Sequence, residues 1–255
     1  MNKKLGYSKQ YYNNRRLSVE RSAQIIIPLL MSSFPIKSVV DLGCADGTWL
    51  SVFRSFGVGE ILGVDGPWVE FEQLRISPTE FLVCDFSEHM PVINKKFDLA
   101  CSIEVVEHIP DKSGKQLVKT LTELAPVVLL SAAVPYQGGV GHINEQRQSY
   151  WYRVFRDYGY ECIDLIRPQL WNNTDVNVIY RQNMFVYVNN SIYSNLSLKD
   201  LRITKSAQLD IIHPDLFERR MYKIKQKNAK DNKRKQSVRY TANQLVKAII
   251  KKFNH

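Results

Sequence analysis

Long hydrophobic runs are missing from this sequence of 255 residues, and none approaches the roughly 20 residues that a membrane-spanning helix needs. The basic N-terminal stretch, MNKKLGYSKQYYNNRR, is not followed by the apolar segment of a secretory signal. Cysteine is scarce and no C-x-x-C pair occurs, which argues against a structural zinc site and against a disulfide framework. The sequence therefore predicts a cytoplasmic protein whose thiols are small core residues: Cys44, Cys84, Cys101 and Cys162.

A charge imbalance is also missing from most of the chain. Residues 1–200 contain 20 Lys and Arg against 21 Asp and Glu, whereas residues 201–255 contain 15 against 4. The net charge of +10 therefore resides in the C-terminal segment. Because the body is neutral, no nucleic-acid channel across it is predicted, and a small-molecule substrate is expected instead. Nothing in the sequence predicts an oligomeric state.

Short buried strands alternate with amphipathic helices along the chain, which predicts an α/β fold. Helices are predicted at 17–34, 46–57, 111–125 and near 149–157. Strands are predicted at 37–43, 60–66, 81–85, 97–102 and 126–135. Two further strands, 160–167 and 176–188, lack a long intervening helix and are expected to pair antiparallel at one edge. The prediction is a Rossmann-like, seven-stranded, mostly parallel sheet with helices on both faces.

A change of composition near residue 190 predicts two parts. Residues 1–190 form the folded domain, and residues 191–255 form a basic C-terminal extension. Within the extension, residues 223–239 have almost no apolar side chains and are expected to be solvated and mobile. The last stretch carries Leu245, Ile249 and Phe253 at helical spacing between lysines. It predicts a terminal amphipathic helix that associates weakly with an acidic membrane surface; a solubilising tail and a helix docked on a partner subunit are alternatives.

The segment VVDLGCADGTW, residues 39–49, joins a strand to a helix, where open α/β sheets bind ligands. It lacks the Gly-Lys-Ser/Thr of a Walker loop and the spacing of a dinucleotide G-x-G-x-x-G motif. Gly43 allows close approach of the ligand to the backbone, and Gly47 relieves crowding at the helix start. Asp41 and Asp46 flank the turn, and their carboxylates repel a pyrophosphate but attract an ammonium or sulfonium group. Asp46 is alternatively a helix N-cap.

Acids also end the second and third predicted strands. Asp65 lies 24 residues after Asp41, where it is placed to bind the hydroxyls of a ribose. Asp85 is placed to accept from an adenine amino group with Phe86 beside the ring, although Asp85 is alternatively a turn residue. A nucleoside with a cationic amino-acid tail satisfies all these groups. The cofactor predicted is S-adenosylmethionine.

Four segments, VVDLGCADGTW, ILGVDG, LVCDF and FDLACSIEVVEH, resemble motifs one to four of the class I methyltransferases in order and spacing. The resemblance covers about residues 15–190. It implies a methyltransferase that uses S-adenosylmethionine, and it adds Glu104 of the fourth motif to the cofactor-binding set.

The stretch SIEVVEHIP follows the fourth predicted strand. A one-turn helix there is expected to place Glu104, Glu107 and His108 on one face. With His142 they form a mixed oxygen and nitrogen set suited to Mg²⁺ or Mn²⁺. The motif resembles those of small-RNA 3′-terminal 2′-O-methyltransferases and ubiquinone-pathway O-methyltransferases, in which an ion favours the deprotonated acceptor. In the alternative, Glu107 and His108 are acid/base or structural groups. Glu107, His108 and His142 are the predicted catalytic residues.

Two polar segments, 138–151 and 179–188, are predicted to line the acceptor pocket. The predicted substrate-binding residues are Tyr136, Asn144, Glu145, Gln146, Tyr180, Arg181 and Gln182. The chain is similar to small methyltransferases of bacterial capsule or lipopolysaccharide assembly, which implies O-methylation of a sugar or phosphate-like decoration of a surface polysaccharide. RNA 2′-O-methylation and a non-catalytic binding module that keeps the fold are the alternatives.

Overall fold

The computed structural model of the chain describes residues 9–193 and 198–253. One sheet contains all seven named strands: β1 (Ser38–Leu42), β2 (Glu60–Asp65), β3 (Phe81–Val83), β4 (Leu99–Ile103), β5 (Val127–Ser131), β6 (Tyr160–Ile163) and β7 (Met184–Asn189). The strand order is β3-β2-β1-β4-β5-β7-β6. Strands β1 to β5 pair in parallel, and β7 is antiparallel to both of its neighbours. The predicted α/β fold with seven strands and an antiparallel edge pair is confirmed.

Eight α-helices accompany the sheet in the described part of the chain: α1 (Lys9–Ser33), α2 (Thr48–Ser55), α3 (Asp111–Leu124), α4 (Gln148–Asp157), α5 (Arg167–Leu170), α6 (Val178–Asn183), α7 (Asn190–Tyr193) and α8 (Pro214–Phe253). Helices α1 and α2 share one apolar layer with Val39 of β1, and α3 and α4 share a second layer with Val40. Because successive strand residues face opposite sides, these layers lie on the two faces of the sheet. No helix among the described residues is long and apolar enough to cross a bilayer.

The four cysteines are free thiols buried in these layers, as predicted. Burial raises the pKa values of the Cys101 and Cys162 thiols well above the ordinary value for cysteine. They therefore behave as small apolar core residues.

The segment 176–188, predicted as one strand, forms two elements in the structure. Asn177 accepts a hydrogen bond on its side chain from the Ile179 backbone N–H and so begins α6, and β7 starts only at Met184. An Asn at this position supplies the missing acceptor of a helix start. The predicted strand is correct for its second half only.

The compact first unit ends at His213 rather than at the predicted boundary near residue 190. Ile203 and Leu209 are buried in the layer that contains α3 and α4. The Arg202 guanidinium donates to both carboxylate oxygens of Glu161, at 2.9 and 2.8 Å. A few apolar residues anchor the polar segment after residue 190 to the first unit. Composition alone therefore places the boundary between the two units too early in the chain.

The second unit, residues 214–255, contains α8. Residues 223–239, expected to be mobile, lie within this helix. Lys and Arg account for 8 of its 17 residues, and it lacks Gly and Pro, which favours a helix even with few apolar residues. The backbone of α8 includes Leu245, Ile249 and Phe253, whose side chains lie outside the described residues.

Candidate active site

The turn between β1 and α2 has three residues in the left-handed region: Gly43 at φ +95°, Ala45 at φ +50° and Gly47 at φ +76°. A Cβ on Gly43 would lie 2.2 Å from Cγ2 of Val105, so the turn packs directly against the segment after β4. Glycine at this position is required by conformation and by space. The predicted cofactor turn and the E-x-x-E-H segment are therefore neighbours.

Two buried acids stand at the ends of β1 and β2. Asp65 accepts from the Ala45 and Gly66 backbone N–H groups, at 2.8 and 2.7 Å. Asp41 is 2 % exposed, and its Oδ1 has no hydrogen-bond partner among the described residues. Burial, with a contribution from the charge of Asp65, raises the pKa of Asp41 to about 7. A cation beside Asp41 would offset the cost of ionising it.

Asp46 and Asp85 bind their own turns. Oδ1 of Asp46 accepts from the Thr48 N–H at 3.0 Å and hydroxyl at 2.6 Å, and Asp46 lies one residue before Gly47, the N-cap of α2. Oδ1 of Asp85 accepts from the Ser87 N–H at 2.9 Å and hydroxyl at 2.6 Å. Phe86 is buried in the core layer that contains α3. The contacts of Asp85 match its alternative as a turn residue, whereas the N-cap alternative for Asp46 is wrong because Gly47 occupies that position. Contact of Asp46, Asp85 and Phe86 with the cofactor stays a prediction.

Trp68 belongs to this region although it was not predicted. Its side chain is 54 % exposed, and a Cβ on Gly66 would lie 2.2 Å from its ring. A hydrogen bond from Trp68 lowers the pKa of Asp65 and so partly opposes the larger rise caused by burial. The sequence signal that could have identified Trp68 is an aromatic residue three positions after Asp65, the acid at the end of the second strand.

Glu104 lies at the end of β4 in a left-handed conformation, with φ +57°. The helical turn Val106–His108 begins after Glu104. The prediction that Glu104 shares one helical face with Glu107 and His108 is therefore wrong. The Glu104 carboxylate instead accepts from the Ser131 hydroxyl at 2.6 Å, the Asn183 amide at 3.1 Å and the Gln137 amide at 3.3 Å. Ser131, Asn183 and Gln137 were not predicted, and no spacing in the sequence connects them to Glu104.

Glu107, His108 and His142 come together as predicted. One ligand atom from each lies within 4.8 Å of the other two, and Glu104 is not part of this cluster. The two imidazoles meet edge to face with 4.8 Å between ring centroids. Glu107 is fully buried, and neither of its carboxylate oxygens has a hydrogen-bond partner among the residues that the structure describes. Burial, and then the nearby Glu104 charge, raise the pKa of Glu107 well above its ordinary range.

Glu145 holds His142 in place. Its carboxylate accepts from the backbone N–H groups of Tyr136 at 2.8 Å and Gly138 at 2.9 Å. Nδ1 of His142 lies 2.8 Å from the same carboxylate. Because a carboxylate only accepts, Nδ1 carries a proton, and in the neutral imidazole the lone pair is then on Nε2. Glu145 thus selects one tautomer of the neutral imidazole.

The loop that carries these residues is fastened to the E-x-x-E-H segment. The carbonyl of Glu107 accepts from the backbone N–H groups of Ile143 at 2.9 Å and Asn144 at 3.1 Å. The Asn144 side chain donates to the Val106 carbonyl at 3.1 Å and accepts from Gln146 at 3.0 Å. Two of the predicted substrate residues, Asn144 and Glu145, therefore orient the cluster in this structure.

The other predicted substrate residues separate into two groups. Tyr136 is 82 % exposed, at φ +68°, on the loop that holds His142. Tyr180, Arg181 and Gln182 are buried in α6. Arg181 donates to the Trp171 carbonyl at 2.6 Å, and Gln182 accepts from the His213 N–H at 2.7 Å. These two α6 residues thus connect backbone segments beside the site, and a role in binding the acceptor stays a prediction.

A family model described as a methyltransferase domain matches residues 13–165, which is more than half of the chain. The chain therefore belongs to this methyltransferase family. It is an enzyme that uses S-adenosylmethionine. A comparison with the curated proteins found no match.

Solved structures share the fold at low sequence identity. DesVI from Streptomyces venezuelae is 15% identical over 71% of this chain and 95% of its own, with a TM-score of 0.54. A sugar N-methyltransferase from a Streptoalloteichus species is 12% identical over 74% and 95%, with a TM-score of 0.52. Magnesium protoporphyrin IX methyltransferase from Synechocystis, with bound S-adenosylmethionine, is 14% identical over 72% and 86%, with a TM-score of 0.51.

Proposed function

We propose that this enzyme transfers a methyl group to a hydroxyl oxygen of a polar acceptor at a divalent-cation site formed by Glu107, His108 and His142. The cluster of these three side chains is the observation that supports the proposal. A hydroxyl is a poor nucleophile until its proton is removed, so a site that stabilises an alkoxide is useful to an O-methyltransferase.

The residues present fit Mg²⁺ or Mn²⁺ in two independent ways. Glu107 has two buried carboxylate oxygens without partners, which a cation would compensate. Glu145 orients His142 through Nδ1 and leaves Nε2 as the donor atom, as the outer carboxylate does in many histidine–metal sites. When bound, such an ion supplies Lewis acidity that favours the deprotonated acceptor. Glu104, the fourth predicted ligand, contributes its negative charge beside Glu107.

The remaining residues bind and orient the methyl donor. Asp41 and Asp46 face the turn where the cationic amino-acid part of S-adenosylmethionine is proposed to bind. Asp65 is assigned to the ribose, and Asp85 with Phe86 to the adenine. Methyl transfer from sulfur is an in-line displacement, so much of the rate comes from holding donor and acceptor collinear. In the alternative without an ion, Nε2 of His142 would not be a metal ligand, and it would be the atom suited to take the acceptor's proton.

We further propose that the acceptor is a sugar, or a phosphate-like decoration, of a bacterial surface polysaccharide. A sugar N-methyltransferase is among the solved structures that share the fold, which supports a sugar as the acceptor class. The exposed aromatic ring of Tyr136, next to the backbone groups that bind Glu145, offers an apolar platform beside polar groups, as small-molecule sites do. RNA 2′-O-methylation is the second candidate, favoured by the E-x-x-E-H segment and the cationic α8.

The acceptor class is tested by incubating the enzyme with methyl-labelled S-adenosylmethionine and separate pools of nucleotide sugars, phosphorylated metabolites and RNA. We expect label in the sugar pool, at a hydroxyl oxygen identified by mass spectrometry. Label in the RNA pool would support the second candidate, and label on nitrogen or carbon would contradict the O-methyltransferase proposal.

The metal site is tested by exhaustive chelation followed by addition of Mn²⁺. We expect loss of turnover, retained binding of S-adenosylhomocysteine and recovery of turnover with the metal. Calorimetric titration with Mn²⁺ should detect one site in the native enzyme and none in Glu107→Gln or His142→Gln, whereas His89→Gln, at an exposed histidine, should titrate normally. Glu145→Gln should weaken Mn²⁺ binding by about 10–100-fold. Full turnover in a protein shown to be metal-free by elemental analysis would contradict the site.

A further inference from the structure

Helix α8 carries the whole net charge of the protein. It contains 13 Lys and Arg against 3 Asp and Glu, a net of +10, whereas the rest of the chain has 22 of each sign. Within α8, every residue from 221 to 236 is exposed. Ten extra positive charges on one helix repel each other, and opposing charge on a partner would relieve that repulsion.

Five of the cations lie on one face. They follow each other at intervals of four, four, three and four residues, which on a helix of 3.6 residues per turn confines them to about a quarter of its circumference. We call them the cationic stripe, and it extends for about 22 Å along the axis. Its members, all exposed, are Arg219, Lys223, Lys227, Lys230 and Arg234.

Three exposed apolar side chains form a second row on α8. Phe217, Met221 and Ile224 are separated by four and three residues and are 58, 37 and 38 % exposed. This row lies about a third of a turn around the helix from the cationic stripe. Basic and apolar rows side by side are typical of helices that lie in the interfacial region of a membrane.

We propose that α8 docks on an acidic lipid surface, with the cationic stripe against the headgroups and Phe217, Met221 and Ile224 in the interface. The apolar row decides between two polyanions. A nucleic acid would pair with the lysines but leave the apolar row in water, whereas an acidic bilayer takes up both. With three apolar side chains the hydrophobic contribution is small, so the docking is reversible and weakened by salt.

The test uses the full chain and vesicles of phosphatidylcholine, alone or mixed with phosphatidylglycerol. We expect sedimentation with the acidic vesicles only, and loss of it at high salt. Lys223→Gln, Lys227→Gln and Lys230→Gln together should lower the partition coefficient on the order of a hundredfold, from about 1 kcal/mol per lysine near the surface.

A matched triple variant separates the stripe from total charge. Lys225→Gln, Lys233→Gln and Lys235→Gln remove the same charge from exposed positions outside the stripe, and this variant should retain most of its binding. Met221→Gln with Ile224→Gln should weaken binding to acidic vesicles but not to RNA. S-adenosylhomocysteine binding confirms that the first unit of each variant is folded, and circular dichroism confirms that the helical content of each variant is unchanged.

Three results would overturn the proposal. The first is that the native chain does not sediment with acidic vesicles at low salt. The second is that both triple variants lose binding equally, which indicates non-specific attraction. The third is that the native chain binds RNA more tightly than acidic vesicles at the same salt concentration, with the stripe variant losing the RNA.

Discussion

At the scale of single residues, Asp41 shows a conflict between stability and cofactor binding. It is buried at the end of β1, and one of its oxygens has no partner among the described residues. Its pKa is raised from 3.8 to about 7, so between these values the folded state holds a proton that the unfolded state has lost. The free energy of unfolding therefore falls as the pH rises through this window.

We predict that Asp41→Asn stabilises the protein without cofactor. The gain should be absent below about pH 4 and reach at most about 4 kcal/mol above pH 7, because each pKa unit corresponds to 1.36 kcal/mol. The same variant should bind S-adenosylhomocysteine more weakly, by about 1.5–3 kcal/mol, because it lacks the charge opposite the ammonium group. Urea unfolding across pH and calorimetry provide the two measurements.

Asp98→Asn is the matched control for Asp41→Asn. The Asp98 carboxylate accepts from the Lys37 and Ser38 N–H groups and the Ser38 hydroxyl, at 2.8, 2.9 and 3.0 Å. An amide there loses acceptor capacity, so this variant should destabilise the protein. If Asp41→Asn destabilises the protein at pH 8 as much as Asp98→Asn does, the Asp41 charge is compensated in the native state.

Residues at strand ends were predictable because parallel strands bring their carboxyl ends together. Asp41, Asp65 and Glu107 followed from this rule. The network around Glu104 did not, because Ser131 at the end of β5 and Asn183 at the end of α6 belong to elements far from Glu104 in the sequence. Hydrogen bonds of this kind depend on tertiary packing and leave no periodic signal.

At the scale of elements, the β1–α2 turn contacts the segment after β4. This contact connects the predicted cofactor-binding turn to the cluster of Glu107, His108 and His142. We predict that Gly43→Ala destabilises the protein and weakens S-adenosylhomocysteine binding. A left-handed backbone costs alanine about 1–2 kcal/mol, and the 2.2 Å approach to the branched Val105 side chain adds a packing cost. Thermal unfolding and calorimetry measure both effects.

Gly57→Ala separates the backbone cost from the packing cost. Gly57 has φ +92°, close to that of Gly43, but no atom lies within 4 Å of its added Cβ. It should therefore show only the backbone cost. Val105→Ala in the Gly43→Ala background should recover part of the stability, and equal losses at Gly43 and Gly57 would refute the packing contribution.

Element types were predicted best where periodicity and termini agreed, as for α3, expected at 111–125 and found at Asp111–Leu124. The strand expected at 176–188 was wrong in its first half because α6 is fixed by a cap and by buried polar contacts. Arg181 and Gln182 bond to residues 171 and 213, which no local pattern reveals. The scarcity of apolar residues at 223–239 predicts a mobile segment, but in the structure these residues are helical, and 223–236 are exposed.

At the scale of the whole molecule, the two core layers consist of residues before Pro214. We predict that a chain ending at His213 folds and binds S-adenosylhomocysteine like the full chain. It would have formally no net charge and should precipitate more readily near neutral pH. Calorimetry and light scattering test both expectations, and loss of folding would show that α8 is needed for the first unit.

The strand order has a consequence for synthesis on the ribosome. Strands β1 to β5 can pair as soon as residue 131 has emerged, but β6 has only β7 as its strand neighbour in the described sheet, and β7 is made later. While residues 164–183 are being translated, the open side of β5 and all of β6 lack hydrogen-bonded neighbours. Unpaired edges recruit other chains, so this interval is when the nascent polypeptide is most exposed to aggregation.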